Sequence, residues 1–235
     1  MNISERIESY WDTRSDAFNE LRLRELKSPN AIAWHGLLAK HVPLERPLRI
    51  LDVGTGTGFF TFLLCRHGHT VTGIDMSHQM VQNARRNAAN FHSTATFEKM
   101  DATKLQYEDE TFDAILSRNL TWTLPDPKAA YKEWLRVLKP KGVILNFDSD
   151  YGKTHFTRNE GRVHAQIDTT LLDECTDIKD SLAISQETRP AWDIAVFKEL
   201  GAQEVSILND VRQDVQKDDN LQYEEIEIFM IRVVK

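Results

Sequence analysis

Three glycines at alternate positions give the clearest sign of chemistry in this sequence. Gly54, Gly56 and Gly58 directly follow the apolar run at residues 48–53 and precede an apolar, helix-like segment at residues 59–64. The apolar run predicts a buried strand, so the order is strand, glycine turn and helix. This arrangement brings backbone N–H groups and a helix N-terminus up to a ligand, and glycine permits both a positive φ and a close approach. The sequence therefore predicts a ligand-binding turn.

The spacing of this turn narrows the choice of ligand. A dinucleotide-binding fingerprint would need its third glycine at position 59, which is Phe59. The pattern here is Asp52-x-Gly54-x-Gly56-x-Gly58, with an acid two residues before the first glycine. It resembles the nucleoside-binding signature of class I S-adenosylmethionine-dependent methyltransferases, which implies that Thr55 also belongs to the cofactor loop. A turn that binds nothing is the alternative, and three alternate glycines after an apolar strand disfavour it.

Two further acids stand where the next strands end. Asp75 closes a predicted strand at residues 70–75 and follows Gly54 at about the 20-residue interval of a carboxylate that bonds ribose hydroxyls. Capping of the next helix is its alternative role, although Ser77 fits that role better. Asp101 follows a third predicted strand, and in the resembling family an acid there bonds the adenine amino group; an exposed loop position is the alternative. Three neighbours are expected at the same site: Met76, Met100 and Ala102.

A cation, an amide and an indole follow the fourth predicted strand, residues 111–117. They are Arg118, Asn119 and Trp122, at the carboxyl end of a central strand, where open α/β sheets bind ligands. We expect Asn119 or the backbone near Ser117 to hold the amino-acid end of the cofactor, and Trp122 to form a wall of the methyl-transfer site. Arg118 is expected to serve both cofactor and acceptor, either by binding an anionic group of the acceptor or by pairing with an internal acid.

The resemblance covers residues 48–148 in four ordered motifs, of which the last is Trp-Leu-Arg-Val-Leu-Lys-Pro-x-Gly at 134–142. The resembling enzymes are small-molecule methyltransferases of the UbiE-like or generic methyltransferase-domain type. The resemblance implies an α/β, Rossmann-like three-layer sandwich with a seven-stranded, mostly parallel sheet whose last strand is antiparallel. It also implies S-adenosylmethionine as cofactor, S-adenosylhomocysteine as product, and in-line transfer of the methyl group to a small molecule.

One domain is expected, in four parts. Residues 1–45 form an N-terminal helical cap, 46–148 the cofactor-binding core, 149–190 a lid inserted after the fifth strand, and 191–235 a closing helix and strands. In the resembling family such a cap lies over the cofactor, which implies contacts from Tyr10 and Trp11. The equal alternative is that these two aromatic residues only dock the cap on the core.

The predicted lid carries candidates for binding the acceptor and for catalysis. Tyr151, His155 and Arg158 are expected to bind the acceptor, and His155, His164 or Tyr151 could act as a base, the histidines near neutral pH. The alternative is an ordinary helical excursion whose polar side chains face water. The sequence leaves open which molecule accepts the methyl group, whether N, O, S or C is methylated, and whether a base is used at all.

Composition excludes several other classes of function. Twenty-nine basic against 36 acidic residues give a net charge of −7, which disfavours nucleic acid as a partner. Cys65 and Cys175 fit a reducing compartment, and the absence of a leader-like or membrane-spanning run predicts a cytoplasmic protein, monomeric or homodimeric. The eight histidines are scattered, so no metal site is predicted. Two alternative functions stay open: a non-catalytic regulator that binds a nucleoside, and, less favoured because of Phe59, an NAD-dependent oxidoreductase.

Overall fold

The computed structural model describes residues 1–154, 156, 168–221, 223 and 225–235. The helices are α1 (Ile3–Leu26), α2 (Pro29–His41), α3 (Phe59–Cys65), α4 (His78–Phe91), α5 (Pro127–Val137), α6 (Thr169–Ser181), α7 (Ala191–Glu199) and α8 (Arg212–Val215). The strands are β1 (Arg49–Val53), β2 (Thr70–Asp75), β3 (Thr96–Lys99), β4 (Phe112–Arg118), β5 (Leu138–Asp148), β6 (Glu204–Leu208) and β7 (Phe229–Val234). Single turns of 3-10 helix lie at Thr121–Thr123, Tyr151–Lys153 and Ala183–Gln186.

The strands of the described chain form one seven-stranded sheet in the order β3-β2-β1-β4-β5-β7-β6. Strands β1 to β5 run parallel, and β7 lies antiparallel between β5 and β6. Parallel strands are covered on both faces, which explains why Ile50, Leu51 and Val53 of β1 are fully buried. The expected fold is confirmed, including the antiparallel last strand.

Helices cover both faces of the sheet and complete the three layers. One apolar cluster joins the sheet to α2 and α3 and includes Trp34, Phe60 and Phe147. The other joins it to α5 and α7 and includes Trp134 and Phe197. Within the described ranges, no helix combines the length and the apolar character needed to cross a membrane.

The N-terminal helix α1 is continuous and is fastened to the start of α4. It begins with a capping box, in which Asn2 and Glu5 bond each other's backbone N–H groups. Further along, the Asp12 carboxylate accepts hydrogen bonds from the Ser77 hydroxyl and from the Gln79 backbone N–H at 3.0 Å. An acidic side chain at a helix N-terminus is stabilising because it satisfies free N–H groups and faces the positive end of the dipole. These bonds hold α1 across the carboxyl end of β2.

The last strand is shorter than its sequence pattern predicts. The partial alternation of Tyr223, Ile226, Ile228 and Met230 predicts a strand over residues 222–234, but in the described part of the chain β7 begins only at Phe229. The described part of the preceding connection includes α8 and contacts α2, where the Asn30 side chain accepts backbone hydrogen bonds from Lys217 and Asp218. The alternating apolar residues Ile226 and Ile228 line the cavity, and Ile228 also belongs to the apolar cluster at the sheet, so both can be apolar without being part of a strand.

Candidate active site

A cavity of about 990 Å³ lies at the carboxyl ends of β1, β2 and β4, with α1 along one side. This volume is at the upper end of the roughly 300–1,000 Å³ range of small-molecule sites. The cavity can therefore hold a nucleoside-sized cofactor together with a second small molecule. Most of the predicted site residues that the structure describes line it: Tyr10, Trp11, Gly54, Gly56, Asp75, Met76, Met100, Asp101, Ala102, Arg118, Asn119, Trp122 and Tyr151.

The glycine turn needs glycine for steric reasons that the structure makes specific. Gly54, Gly56 and Gly58 have φ angles of +68°, +54° and +97°, in the left-handed region that side chains disfavour. A Cβ at Gly54 would lie 2.8 Å from the Leu120 side chain, and one at Gly56 would lie 3.0 Å from the ring of Phe18. The turn is therefore packed closely between β4 and α1.

Asp52 and Thr55 brace this turn from behind. The Asp52 carboxylate is buried and accepts hydrogen bonds from the Thr55 hydroxyl at 2.7 Å and from the Thr61 hydroxyl at 2.8 Å. Burial raises the pKa of Asp52, and these hydrogen bonds oppose that shift. Neither Asp52 nor Thr55 lines the main cavity, and the same holds for Gly58 and Ser117. These four predicted cofactor-binding residues therefore lie outside the lining of the main cavity.

Asp75 lines the cavity and holds the turn at the same time. Its carboxylate accepts backbone hydrogen bonds from Gly56 and Ser77, both at 2.9 Å. Burial raises its pKa to about 6, despite the two backbone hydrogen bonds that favour the charged form. Ser77 caps α4 through a hydrogen bond from the Met80 backbone N–H, as its position in the sequence indicates. Asp75 is thus left to face the cavity.

The predicted adenine side lies beyond the ends of β2 and β3. Met100 and Ala102 are buried, whereas Asp101 is exposed and accepts hydrogen bonds from the backbone and hydroxyl of Thr103, both at 2.8 Å. Met76 completes this part of the lining. The bonds to Thr103 thereby fix the Asp101 carboxylate in the lining of the cavity.

One face of α1 supplies more of the lining than the sequence analysis predicted. Tyr10, Arg14, Phe18 and Arg22 all line the cavity, and they recur at intervals of four residues, so they lie on one helical face. The ring centroids of Tyr10 and Trp11 are 5.1 Å apart in an edge-to-face arrangement. The four-residue spacing was visible in the sequence, but only the position of the helix shows which face is turned to the cavity.

Arg118 pairs with an internal acid, which is one of the two roles that the sequence left open. Its guanidinium nitrogens donate to the Glu25 carboxylate at 2.9 and 3.2 Å, and Arg22 and the Trp34 indole donate to the same carboxylate. Burial alone would raise the pKa of Glu25, but the two guanidinium groups outweigh it and lower that pKa to about 2. Glu25 was not predicted as a site residue, because nothing local in α1 identifies its partners.

Aromatic side chains form another part of the cavity wall. The ring centroid of Trp122 lies 4.6 Å from that of Tyr151 and 5.7 Å from that of Phe156. Three predicted acceptor or catalytic residues, His155, Arg158 and His164, lie outside the described residues. Of the described residues that line the cavity, none is a histidine. The described ranges also contain no group of three or more His, Cys, Asp or Glu residues that could hold a metal ion.

Comparison with known families identifies the centre of the chain. Residues 51–146 match the family model of the methyltransferase domain. A phosphatidylethanolamine N-methyltransferase of Cereibacter sphaeroides is 36% identical over 121 residues, which cover 50% of this chain and 55% of that protein. A ubiquinone biosynthesis O-methyltransferase of Alkalilimnicola ehrlichii is 36% identical over 98 residues, covering 41% of this chain and 40% of that one. This chain thus spans about half the length of these relatives.

The fold is also shared with solved structures over most of the chain. A SAM-dependent methyltransferase from Aquifex aeolicus superposes with a TM-score of 0.60 and 19% identity, covering 90% of this chain and 95% of that one. At this identity the likeness concerns the fold. The family match therefore covers residues 51–146, and the shared fold extends over most of the chain.

Proposed function

We propose that this chain, whose residues 51–146 match the family model of the methyltransferase domain, is a class I enzyme that transfers the methyl group of S-adenosylmethionine to a small molecule. The observation that carries the proposal is one continuous cavity in which the glycine turn, Asp75 and the aromatic wall around Trp122 meet. Cofactor and acceptor can therefore lie side by side, as direct transfer requires.

The cofactor is proposed to lie along the ends of β1 to β4. Asp75 would accept hydrogen bonds from the ribose hydroxyls and Asp101 one from the adenine amino group, with Met76, Met100 and Ala102 against the adenine ring. Gly54 and Gly56 would allow its close approach, and Asn119 would bond its amino-acid end. Tyr10 and Trp11 would cover it from α1. All of these residues line the cavity, which is the support for these assignments.

The chemistry asks little of the protein beyond alignment. The sulfonium already activates the methyl carbon, so the chain has to hold the acceptor atom in line with the S–CH₃ bond and to exclude water. In the transfer, the acceptor lone pair forms the new bond to carbon while the sulfur keeps the electron pair of the broken bond. Burial of the aromatic wall, where Trp122 is only 7% exposed, supports a site from which water is excluded.

We propose an amine as the acceptor. A neutral amine can attack with its lone pair and lose its proton afterwards, whereas a phenol or alcohol benefits from a base that removes the proton during attack. Tyr223 lines the cavity, and burial raises the pKa of its phenol to about 12, which makes it a poor base near neutral pH. The N-methyltransferase relative points the same way, and the O-methyltransferase relative makes a phenol the second candidate.

Methyl transfer with labelled cofactor tests the proposal. The purified chain is incubated with [methyl-³H]S-adenosylmethionine and, separately, ethanolamine, phosphatidylethanolamine in micelles, and catechol as a simple phenol. Labelling of an amine supports the proposal. Labelling of catechol alone would support methyl transfer but contradict the proposal that the acceptor is an amine. Binding of S-adenosylhomocysteine without transfer to these or to a metabolite extract would favour the non-catalytic regulator, and binding of NAD instead would favour the oxidoreductase.

A cytoplasmic location and a monomeric or homodimeric state remain predictions from the composition of the chain. Fractionation of cells, followed by light scattering on the purified protein, would test both. Neither property enters the argument for methyl transfer.

A further inference from the structure

The long connection between β5 and α7 is closed at its base by a buried ion pair. Asp148 ends β5 and Arg189 lies two residues before α7. One terminal nitrogen of the Arg189 guanidinium donates to the Asp148 carboxylate at 3.0 Å, and both side chains are at most 1% exposed. The connection therefore leaves the sheet and returns to it at the same point.

The same ion pair reaches the aromatic wall of the cavity. Arg189 donates from its other terminal nitrogen to the Thr121 hydroxyl at 2.6 Å, and this hydroxyl in turn donates to Asp148. The Asp148 carboxylate also accepts the backbone N–H of Trp122 at 3.0 Å. Trp122 lines the cavity, whereas Asp148 and Arg189 do not. The pair thus fixes the backbone that carries the indole from behind.

The shape of the guanidinium is essential to this arrangement. Arg189 also donates to both carboxylate oxygens of Asp193, at 2.9 and 2.7 Å, and Asp193 accepts from the hydroxyl of Tyr131. A planar guanidinium with five N–H groups can bond two carboxylates and a hydroxyl at once, and a lysine ammonium cannot reproduce that geometry. Buried polar groups that are fully bonded in this way hold one arrangement, since each lost partner is costly.

We infer that Arg189 and Thr121 are positioning residues that set the place of Trp122 and thereby shape the acceptor side of the cavity. The inference rests on the proposed function for its consequence in catalysis. Displacement of a positioning wall by about 1 Å can cost on the order of a hundredfold in rate. The cofactor side is held separately, by the bonds between Asp75 and the glycine turn, so cofactor affinity should be spared.

Two disruptive substitutions, Thr121→Val and Arg189→Lys, and one conservative substitution, Thr121→Ser, test the inference. Thr121→Val keeps the shape and removes the hydroxyl, Thr121→Ser keeps the hydroxyl, and Arg189→Lys keeps the charge and loses the forked geometry. We measure the exchange rate of the Trp122 amide by NMR, the affinity for S-adenosylhomocysteine by calorimetry, and kcat/KM with ethanolamine. Thr121→Val and Arg189→Lys should speed exchange of this amide at least about tenfold and lower kcat/KM about 10- to 100-fold, with S-adenosylhomocysteine affinity within about twofold of wild type. Thr121→Ser should behave as wild type.

Arg136→Lys is the matched control. The Arg136 guanidinium also bonds several groups at once: it donates to the carboxylates of Glu133 at 2.8 Å and Asp109 at 2.7 Å and to the Leu105 carbonyl at 2.9 Å. These partners lie on and around α5, away from Trp122. An unchanged Trp122 amide in both Thr121→Val and Arg189→Lys overturns the inference, and so does the same acceleration in Arg136→Lys. If the wild type methylates no acceptor, the proposed function fails, while the exchange and affinity measurements still decide whether Arg189 and Thr121 position Trp122.

Discussion

Asp75 is the residue whose ionisation should govern cofactor binding. Burial raises its pKa to about 6, and the ionised carboxylate is the form that can accept hydrogen bonds from two ribose hydroxyls. We therefore expect the affinity for S-adenosylhomocysteine to be constant above about pH 7 and to fall as the pH drops through 6. Asp75→Asn should weaken binding at pH 7.5, roughly ten- to a hundredfold, and remove the pH dependence between 5 and 7. Calorimetry across this range tests both, and an equal pH dependence in the variant would exclude Asp75 as its source.

The same shift has a consequence for stability, with a definite sign. The folded-state pKa of Asp75 is raised from 3.8 to about 6, so the folded protein binds this proton more tightly than the unfolded chain does. The carboxylate therefore opposes folding above pH 6, and this cost disappears as the pH falls from 6 towards 4. Asp75→Asn cannot ionise and escapes this cost. In urea unfolding, the variant should therefore gain unfolding free energy relative to the wild type between pH 5 and pH 7.5.

Two glycines provide a matched pair for testing the turn. Gly56→Ala adds a Cβ at a φ of +54° and 3.0 Å from the Phe18 ring, so it should lower S-adenosylhomocysteine affinity more than about tenfold through a displaced turn. Gly36→Ala lies in α2, where a Cβ meets nothing within 4 Å, and should leave affinity unchanged and stabilise the protein by about 0.5–1 kcal/mol. Calorimetry and urea unfolding distinguish the two. Normal affinity in Gly56→Ala would mean that the turn does not contact the cofactor.

At the scale of elements, the buried carboxylate of Glu25 joins α1 to the end of β4. Its side chain is 1% exposed and forms ion pairs with two guanidinium groups, those of Arg22 and Arg118. Glu25→Gln would leave both cations without their counter-charge, at a cost of about 3–5 kcal/mol. Glu20→Gln makes the same chemical change on an exposed position of α1 and should alter stability by less than about 0.5 kcal/mol. Equal unfolding free energies of the two variants would show that the cluster contributes nothing to folding.

The elements also show what a sequence can and cannot predict. The sequence predicts strands β1 to β4 from their apolar runs, and the glycine turn from the spacing of its glycines and acids. Both are local properties of the chain. The partners of Arg118 and Arg189 were not predicted, since Glu25 and Thr121 are 93 and 68 residues away and each contact depends on how α1 and α7 dock. The alternation of Ile226 and Ile228 predicts a strand because it indicates one apolar face, but here both residues line the cavity. Local pattern therefore indicates burial, and the docking of elements decides what covers it.

At the scale of the whole molecule, α1 and α6 together should respond to the cofactor. Both line the cavity, through Tyr10 and Cys175 among others, and they are joined by the ion pair of Arg6 with Glu174 at 2.8 Å. A ligand in the cavity opposes any opening of the helices over it, since it stabilises only the state that binds it. We therefore expect S-adenosylhomocysteine to slow hydrogen exchange in Ile3–Leu26 and in Thr169–Ser181, and to leave Glu204–Leu208 at the far sheet edge unchanged.

The exchange pattern also tests the proposal that residues 149–190 form a lid. The ion pair of Arg6 with Glu174 is partly exposed and screened by water, so its removal by Arg6→Ala should change stability little. If α6 closes the cavity with α1, this variant should lose ligand-induced protection in Thr169–Ser181 while keeping protection of the glycine turn. Lys128→Ala, which removes a comparable surface ion pair with Glu199, is the control and should keep both. Protection confined to the cofactor loops in the wild type would mean that α6 is a structural excursion and the lid proposal is wrong.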